Sequence, residues 1–231
     1  MTSNSDSPVY LIAPCYLAGP DTSMSTALTA HLEAAGWARK PVRAGLAFSH
    51  RERGGLVEAV HAPDGTPPGE SPCPALSWEF TARPGPGRPS TWSVRFTPAT
   101  PPELPTAFAH ALTSPDPAAD PDGGAPHYLQ APGLTDLTTA PLQQARWQRD
   151  IGSYWSAWNA PDRQGVVITP VAPGVDGYGG ADWLLAARRA SDKTVMWMAV
   201  AHPNTPTHLM RTLCTALASP APVPRQRKPA S

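Results

Sequence analysis

The stretch TPPELPTAFAHALTSP, from Thr100 to Pro115, returns as TPTHLMRTLCTALASP, from Thr205 to Pro220, at an offset of 105 residues. Thr100, Pro101, Leu104, Ala111, Leu112, Ser114 and Pro115 recur unchanged. The same offset carries Trp78 onto Trp183 and Trp92 onto Trp197, in a chain with only eight tryptophans. A chain that repeats a segment of this length in register folds as copies of one unit, each able to bury the same apolar positions. The repeat therefore sets the architecture before any local propensity is considered.

Further upstream the offset grows. At 110 it pairs LEAAGWAR (Leu32 to Arg39) with LQQARWQR (Leu142 to Arg149), and Gly55 with Gly165. At 118 it pairs YLIAP, starting at Tyr10, with YLQAP, starting at Tyr128. An offset that falls along the chain means the first copy is the longer one. It carries extra residues in AGPDTSMS and in APDGTPPGESPCP, both rich in Gly, Pro and Ser as loops are. The expected organisation is a first unit over 8–115, an acidic Pro/Gly linker over 116–126, a second unit over 127–220 and a basic Pro-rich tail over 221–231. The 31 prolines and 18 glycines agree with such long connections.

Within a unit the pattern reads helix, four strands, helix. STALTAHLEAAGW supplies the short leading helix, and AGLAFSH and GLVEAVH two strands. In LSWEF and TWSVRF, apolar and polar residues alternate as in half-buried strands, and RPGPGRPS joins them as a hairpin connection. Thr100 is the expected cap of a final helix whose first turn holds Pro101, Pro102 and Glu103. Leu104, Phe108, Ala111 and Leu112 then fall on one face, and Thr205, Leu209, Leu213, Ala216 and Leu217 repeat the arrangement. The fold class is α+β: two tandem units, each a four-stranded antiparallel meander with a leading helix and a covering C-terminal helix, packed as a pseudo-dimer. TVMWMAVA is apolar on both faces, which predicts a strand buried on both sides where the copies meet.

These residues resemble the actinobacterial, Streptomyces-type SPDY-domain family of unknown function, which often occurs as tandem copies. The marks are Trp37 and Trp147 after the first helix, the turn APDR (Ala160 to Arg163), Trp92 and Trp197 in strands, and the two final-helix stretches. The first copy departs from the turn motif, with SHRE at Ser49 to Glu52. The resemblance spans most of residues 8–220 and implies the tandem architecture. It brings no catalytic residues.

The chemistry-bearing residues are dispersed. No GxSxG, HExxH, CxxC pair or P-loop is present. GYGG (Gly177 to Gly180) precedes a strand pattern rather than a helix and reads as a turn. Cys15, Cys73 and Cys214 form neither a disulfide framework nor a metal motif. The expectation is a non-enzymatic protein with no cofactor and no metal. The N-terminal residues lack a basic n-region, and no apolar run approaches the ~18 residues of a membrane span, so a cytoplasmic, membrane-free protein is expected.

Charge is uneven although the formal net charge is zero. Residues 37–99 hold eight basic and five acidic groups, and residues 142–220 seven and five. Residues 113–141 hold four Asp and no Lys or Arg. Several arginines sit beside aromatic residues. Sheets that combine cations with aromatic rings bind single strands, because phosphate contacts supply affinity and rings stack bases. The sequence thus nominates Arg39, Arg43, Arg95, Arg149 and Tyr154 as a nucleic-acid surface, with single-stranded DNA favoured. The rival expectation is a protein-interaction or scaffolding module without nucleic-acid affinity. An exposed apolar patch rimmed by polar groups would mark it.

Overall fold

The computed structural model describes residues 9–42, 45–52, 55–62, 76–114, 126–152, 155–170 and 182–226. Two antiparallel sheets and four α-helices are found among them. The large sheet has ten strands. Its first half runs β2 (Ala38–Val42), β3 (Gly45–Glu52), β4 (Gly55–His61), β5 (Trp78–Arg83) and β6 (Trp92–Phe96). Its second half holds β7 (Gln148–Ile151), β8 (Trp155–Asn159), β9 (Gly165–Pro170), β10 (Trp183–Arg188) and β11 (Val195–Ala201). Each half is a meander, and the two join through β6 and β11, giving the order β2-β3-β4-β5-β6-β11-β10-β9-β8-β7. The helices are α1 (Thr22–Ala34) and α2 (Glu103–Thr113) around the first meander, and α3 (Thr135–Gln144) and α4 (Thr207–Ala218) around the second.

The fold is α+β as the sequence indicates, but each half has five strands instead of four. The extra strands, β2 and β7, are exposed at every residue, so they carry no alternation to read. Backbone pairing to β3 and β8 alone defines them. Lys40 and Pro41 also make β2 a poor template for further pairing, as edge strands require.

The strand register corrects the upstream repeat. Phe48 faces Ala59 in the first half and Trp158 faces Val167 in the second, so β4 and β9 correspond at 108 and Gly55 is not the partner of Gly165. The short 3-10 turns Cys15–Leu17 and His127–Leu129 precede α1 and α3. They equate Tyr16, not Tyr10, with Tyr128. Tyr10 instead lies in β1 (Val9–Ile12), which pairs with β12 (Val223–Gln226) in a two-stranded sheet. The segment read as a tail thus includes a strand, and it brings the two ends of the described chain together.

One core underlies all four helices. Leu28 and Leu32 of α1, Phe108 and Leu112 of α2, Leu142 of α3 and Leu209 and Leu213 of α4 join it. The strands contribute alternate residues, among them Trp78, Phe80, Trp92, Val94 and Phe96, which gives β5 and β6 their strict buried–half-buried pattern. Phe108 meets the rings of Phe80, Trp92 and Phe96 at centroid distances of 5.1, 6.0 and 6.3 Å.

The repeated threonines have a different task from the expected one. Helix α2 starts at Glu103 after Pro102, which makes no side-chain cap. Thr100 lies earlier, where its hydroxyl meets that of Thr97 at 3.1 Å and donates to the Met198 carbonyl. Thr205 donates to the His202 carbonyl at 2.7 Å. Both are buried and pin the reversal from strand to helix. The expected linker lies almost wholly outside the described residues, as do GYGG and Cys73.

Candidate interaction face

Helices cover one side of the large sheet. On the other side, consecutive registers place one residue of every strand in a single row: Lys40, Ala47, Val60, Glu79, Arg95, then Val200, Leu184, Ile168, Ala157 and Asp150. The middle of the row is the pair Arg95–Val200, whose members are 105 residues apart, the same spacing as the Trp pairs.

The two halves of this face differ in chemistry. In the first half, Arg95 donates through Nε to Glu79 at 2.8 Å, and Arg83 donates to Glu58 at 2.6 Å. Thr81 and Ser93 lie opposite one another between these pairs. In the second half the counterparts of Glu58, Glu79 and Arg95 are the apolar Val166, Leu184 and Val200, while Arg83 is matched by Arg188. Val200, Leu184 and Ile168 continue the row, with Met198, Ala186 and Val166 beside them. Met196, Met198, Val200, Leu184 and Ile168 are all half-buried. The strand expected to be buried on both sides is therefore covered on one side only. It does pair with the other half, through β6. Trp155, 45 % exposed, stands at the end of this apolar zone. At the outer corner, Asn159 donates to Asp150 at 2.8 Å, and Arg188 donates to the Asn159 side-chain Oδ1 and the Arg163 backbone carbonyl.

The nominated residues are not gathered into one surface. Arg95 is on the open face. Arg39 and Arg149 lie on the opposite edges of the sheet, on β2 and β7, roughly 40 Å apart at ordinary strand spacing. Both point toward the helix side, in register with the buried Phe48 and Trp158. Arg39 is paired with Glu33 of α1 at 3.1 Å. Arg149 is held by Asp136 at 3.1 Å and Ser156 at 2.9 Å, with its guanidinium 5.6 Å from the Trp158 ring centre. Arg43 and Tyr154 lie outside the described residues. A local charge count sees each Arg without its carboxylate partner. Cross-strand register supplies that partner, and the period-2 alternation of TVMWMAVA was the available signal for the methionine face.

No group of three or more His, Cys, Asp or Glu that could hold a metal occurs among the described residues. Burial pushes the Cys15 thiol up to about 11, with Glu103 adding to the rise and Arg225 opposing it, and pushes Cys214 up to about 12. Thiols held protonated in this way are poor nucleophiles. APDR forms a turn in which Asp162 accepts from the Gln164 backbone N–H at 2.9 Å, a local role. No described helix is long and apolar enough to cross a membrane.

A family model, SPDY, a domain of unknown function (DUF317), matches residues 53–118 and 136–223. The second match runs from α3 into β12. The first begins only after β3, where Ser49 to Glu52 departs from the motif. Neither a curated protein nor a solved structure matches the chain. The two segments make up more than half of the sequence and fall one in each half of the sheet, so the chain belongs to the SPDY family of domains of unknown function.

Proposed function

We propose that the chain is a non-catalytic protein-interaction module, folded as an internal pseudo-dimer, whose docking surface is the open sheet face. The observation that carries this reading is the contrast across that face. In the first half Arg83 and Arg95 are paired with Glu58 and Glu79, while the second presents half-buried Met198, Val200, Leu184 and Ile168 beside exposed Trp155. An apolar zone rimmed by polar groups is the usual mark of a protein partner. The symmetric strand order and the central Arg95–Val200 pair support the pseudo-dimer. The unpaired, buried thiols of Cys15 and Cys214 fit a reducing cytoplasm.

Nucleic-acid binding is the second reading. It is favoured by four arginines on the open face, Arg51, Arg83, Arg95 and Arg188. It ranks second because Arg83 and Arg95 already face Glu58 and Glu79, and a paired cation gains less from a phosphate. Two measurements separate the readings. Affinity capture by the intact protein and by Met198→Arg should retain a stoichiometric protein that the variant loses. Titration with single-stranded DNA should show no saturable binding at moderate salt. Tight DNA binding whose salt slope falls by about 0.7 in Arg95→Ala would instead establish the second reading.

A further inference from the structure

On the helix side of the first half lies a cleft of about 480 Å³. Its floor is the cross-strand row Leu46–His61–Trp78. One wall is the N-terminal half of α1, which presents Ser25, Thr26 and Thr29. The other wall is the turn into α2, with Pro98, Pro102 and Pro105. A helix lying on a sheet ordinarily offers apolar groups inward. Here Leu28 and Leu32 do so, while the hydroxyls line the cleft.

The duplicated fold offers a comparison at the equivalent place. In the second half, the counterpart of the buried Pro105 is the longer Met210, also fully buried. The Gly133 N–H bonds the Thr207 hydroxyl, drawing the segment before α3 against the start of α4. The counterpart of Arg39 is Arg149, tied down by Ser156 and Asp136. The two halves therefore build this place differently.

The lining carries little net charge. Arg39 at the rim is matched by Glu33, and Asp21 is the carboxylate near the mouth. His61 stacks on Trp78 with centroids 4.4 Å apart and rings nearly parallel. Burial lowers its pKa below the usual imidazole value, so near neutral pH it offers one donor and one acceptor and no charge. Proline rings and Leu46 give flat apolar surface, and hydroxyls, imidazole and carboxylate give hydrogen-bond partners around it.

We propose that this cleft binds a neutral, polyhydroxylated small molecule of the size of a mono- or disaccharide. A sugar ring has an apolar face of C–H groups and a rim of hydroxyls, which matches a flat apolar floor between hydroxyl-bearing walls. An anionic ligand would meet the Asp21 carboxylate and find Arg39 already matched by Glu33. The volume lies within the ordinary range of ligand pockets. This site is on the opposite side of the sheet from the docking face and is independent of that reading.

Amide chemical shifts of the full chain provide the test, with maltose and trehalose as neutral probes and AMP as an anionic aromatic probe. Saturable shifts confined to Ser25–Thr29, His61 and Ser77 are expected with at least one disaccharide and not with AMP. Pro105→Met, which imports the second half's own residue, should fill the cleft and weaken binding at least about tenfold while the spectrum stays folded. Ser25→Leu, on the opposite wall, should do the same without touching α2. Absence of saturable shifts with both disaccharides would overturn the proposal. So would binding of AMP alone, or binding that survives both filling substitutions.

Discussion

Trp92 donates its indole N–H to the Tyr128 carbonyl at 2.7 Å, and Trp197 donates to the Tyr16 carbonyl at 2.7 Å. Each tryptophan belongs to one half of the sheet, and each carbonyl to the short turn that leads into the other half. The exchange is reciprocal. Around it, His127 contacts the Leu112 carbonyl of α2, and the Cys15 thiol donates to the Ala216 carbonyl of α4. Neither half completes its own core, because the turn that covers each central tryptophan comes from the other half.

Trp197→Phe should therefore destabilise the whole molecule. It leaves the buried Tyr16 carbonyl without its donor, at a cost of about 1–3 kcal/mol. Urea unfolding followed by tryptophan fluorescence and by far-UV circular dichroism should give one coincident transition, shifted to lower denaturant. Two separated transitions would show that the halves fold independently.

Phe108→Ala should cost about 3–5 kcal/mol, since the ring is fully buried and packs against Phe80, Trp92 and Phe96. A thermal melt unchanged by the substitution would exclude this packing of α2 on the sheet.

Much of this core was legible in the sequence because tryptophan and the helix spacing repeat together. Trp78 and Trp183 each open the fourth strand of their half, and Phe108 and Leu213 both face inward. What the sequence hid was long-range. Tyr10 matches Tyr128 by local similarity, yet the 3-10 turns and the Trp92 and Trp197 hydrogen bonds make Tyr16 the counterpart. Arg95 looked like a free cation on a polar strand face, because Glu79 is 16 residues away and meets it only through the β5–β6 register. Strands β2 and β7 escaped because an edge with no buried side chain leaves no period to detect.

Acid should loosen the seam between α1 and α2. His31 and His110 stack with ring centres 3.7 Å apart, and His31 lies 2.8 Å from the Thr113 hydroxyl. Burial, and then His110, hold the His31 pKa below its ordinary value of 6.5. The unfolded chain thus takes up the proton first. Stability is intact above about pH 6.5 and falls as the pH drops below it. His61, lowered by burial, acts in the same direction. Thermal melts should show a declining Tm between about pH 6.5 and 5, and His31→Asn should flatten that decline without abolishing it. A Tm that rises over this interval would contradict the sign.

The last prediction concerns how the chain ends are held. Arg225 of β12 is 4 % exposed and forks onto Glu103 at the start of α2, with Nη1 and Nη2 donating at 2.7 and 2.8 Å. Its other donor bonds reach the carbonyls of Ala18, Gly19 and Pro224. One guanidinium thereby joins β12, the turn before α1 and the start of α2. Burial alone would weaken its charge, but the Glu103 carboxylate, with Asp21 and Tyr10 behind it, outweighs that and raises the Arg225 pKa. Arg225→Ala removes one partner of a buried pair and takes the donor from Glu103 and from the Ala18, Gly19 and Pro224 carbonyls, a loss of about 3–5 kcal/mol. The double variant Arg225→Met with Glu103→Gln removes both charges and should recover a large part of that loss, since an apolar side chain of similar length replaces the fork. Denaturant midpoints for the two single variants and the double variant close the cycle. Additive losses would mean that the fork is incidental, and that β1 and β12 are held by backbone pairing alone.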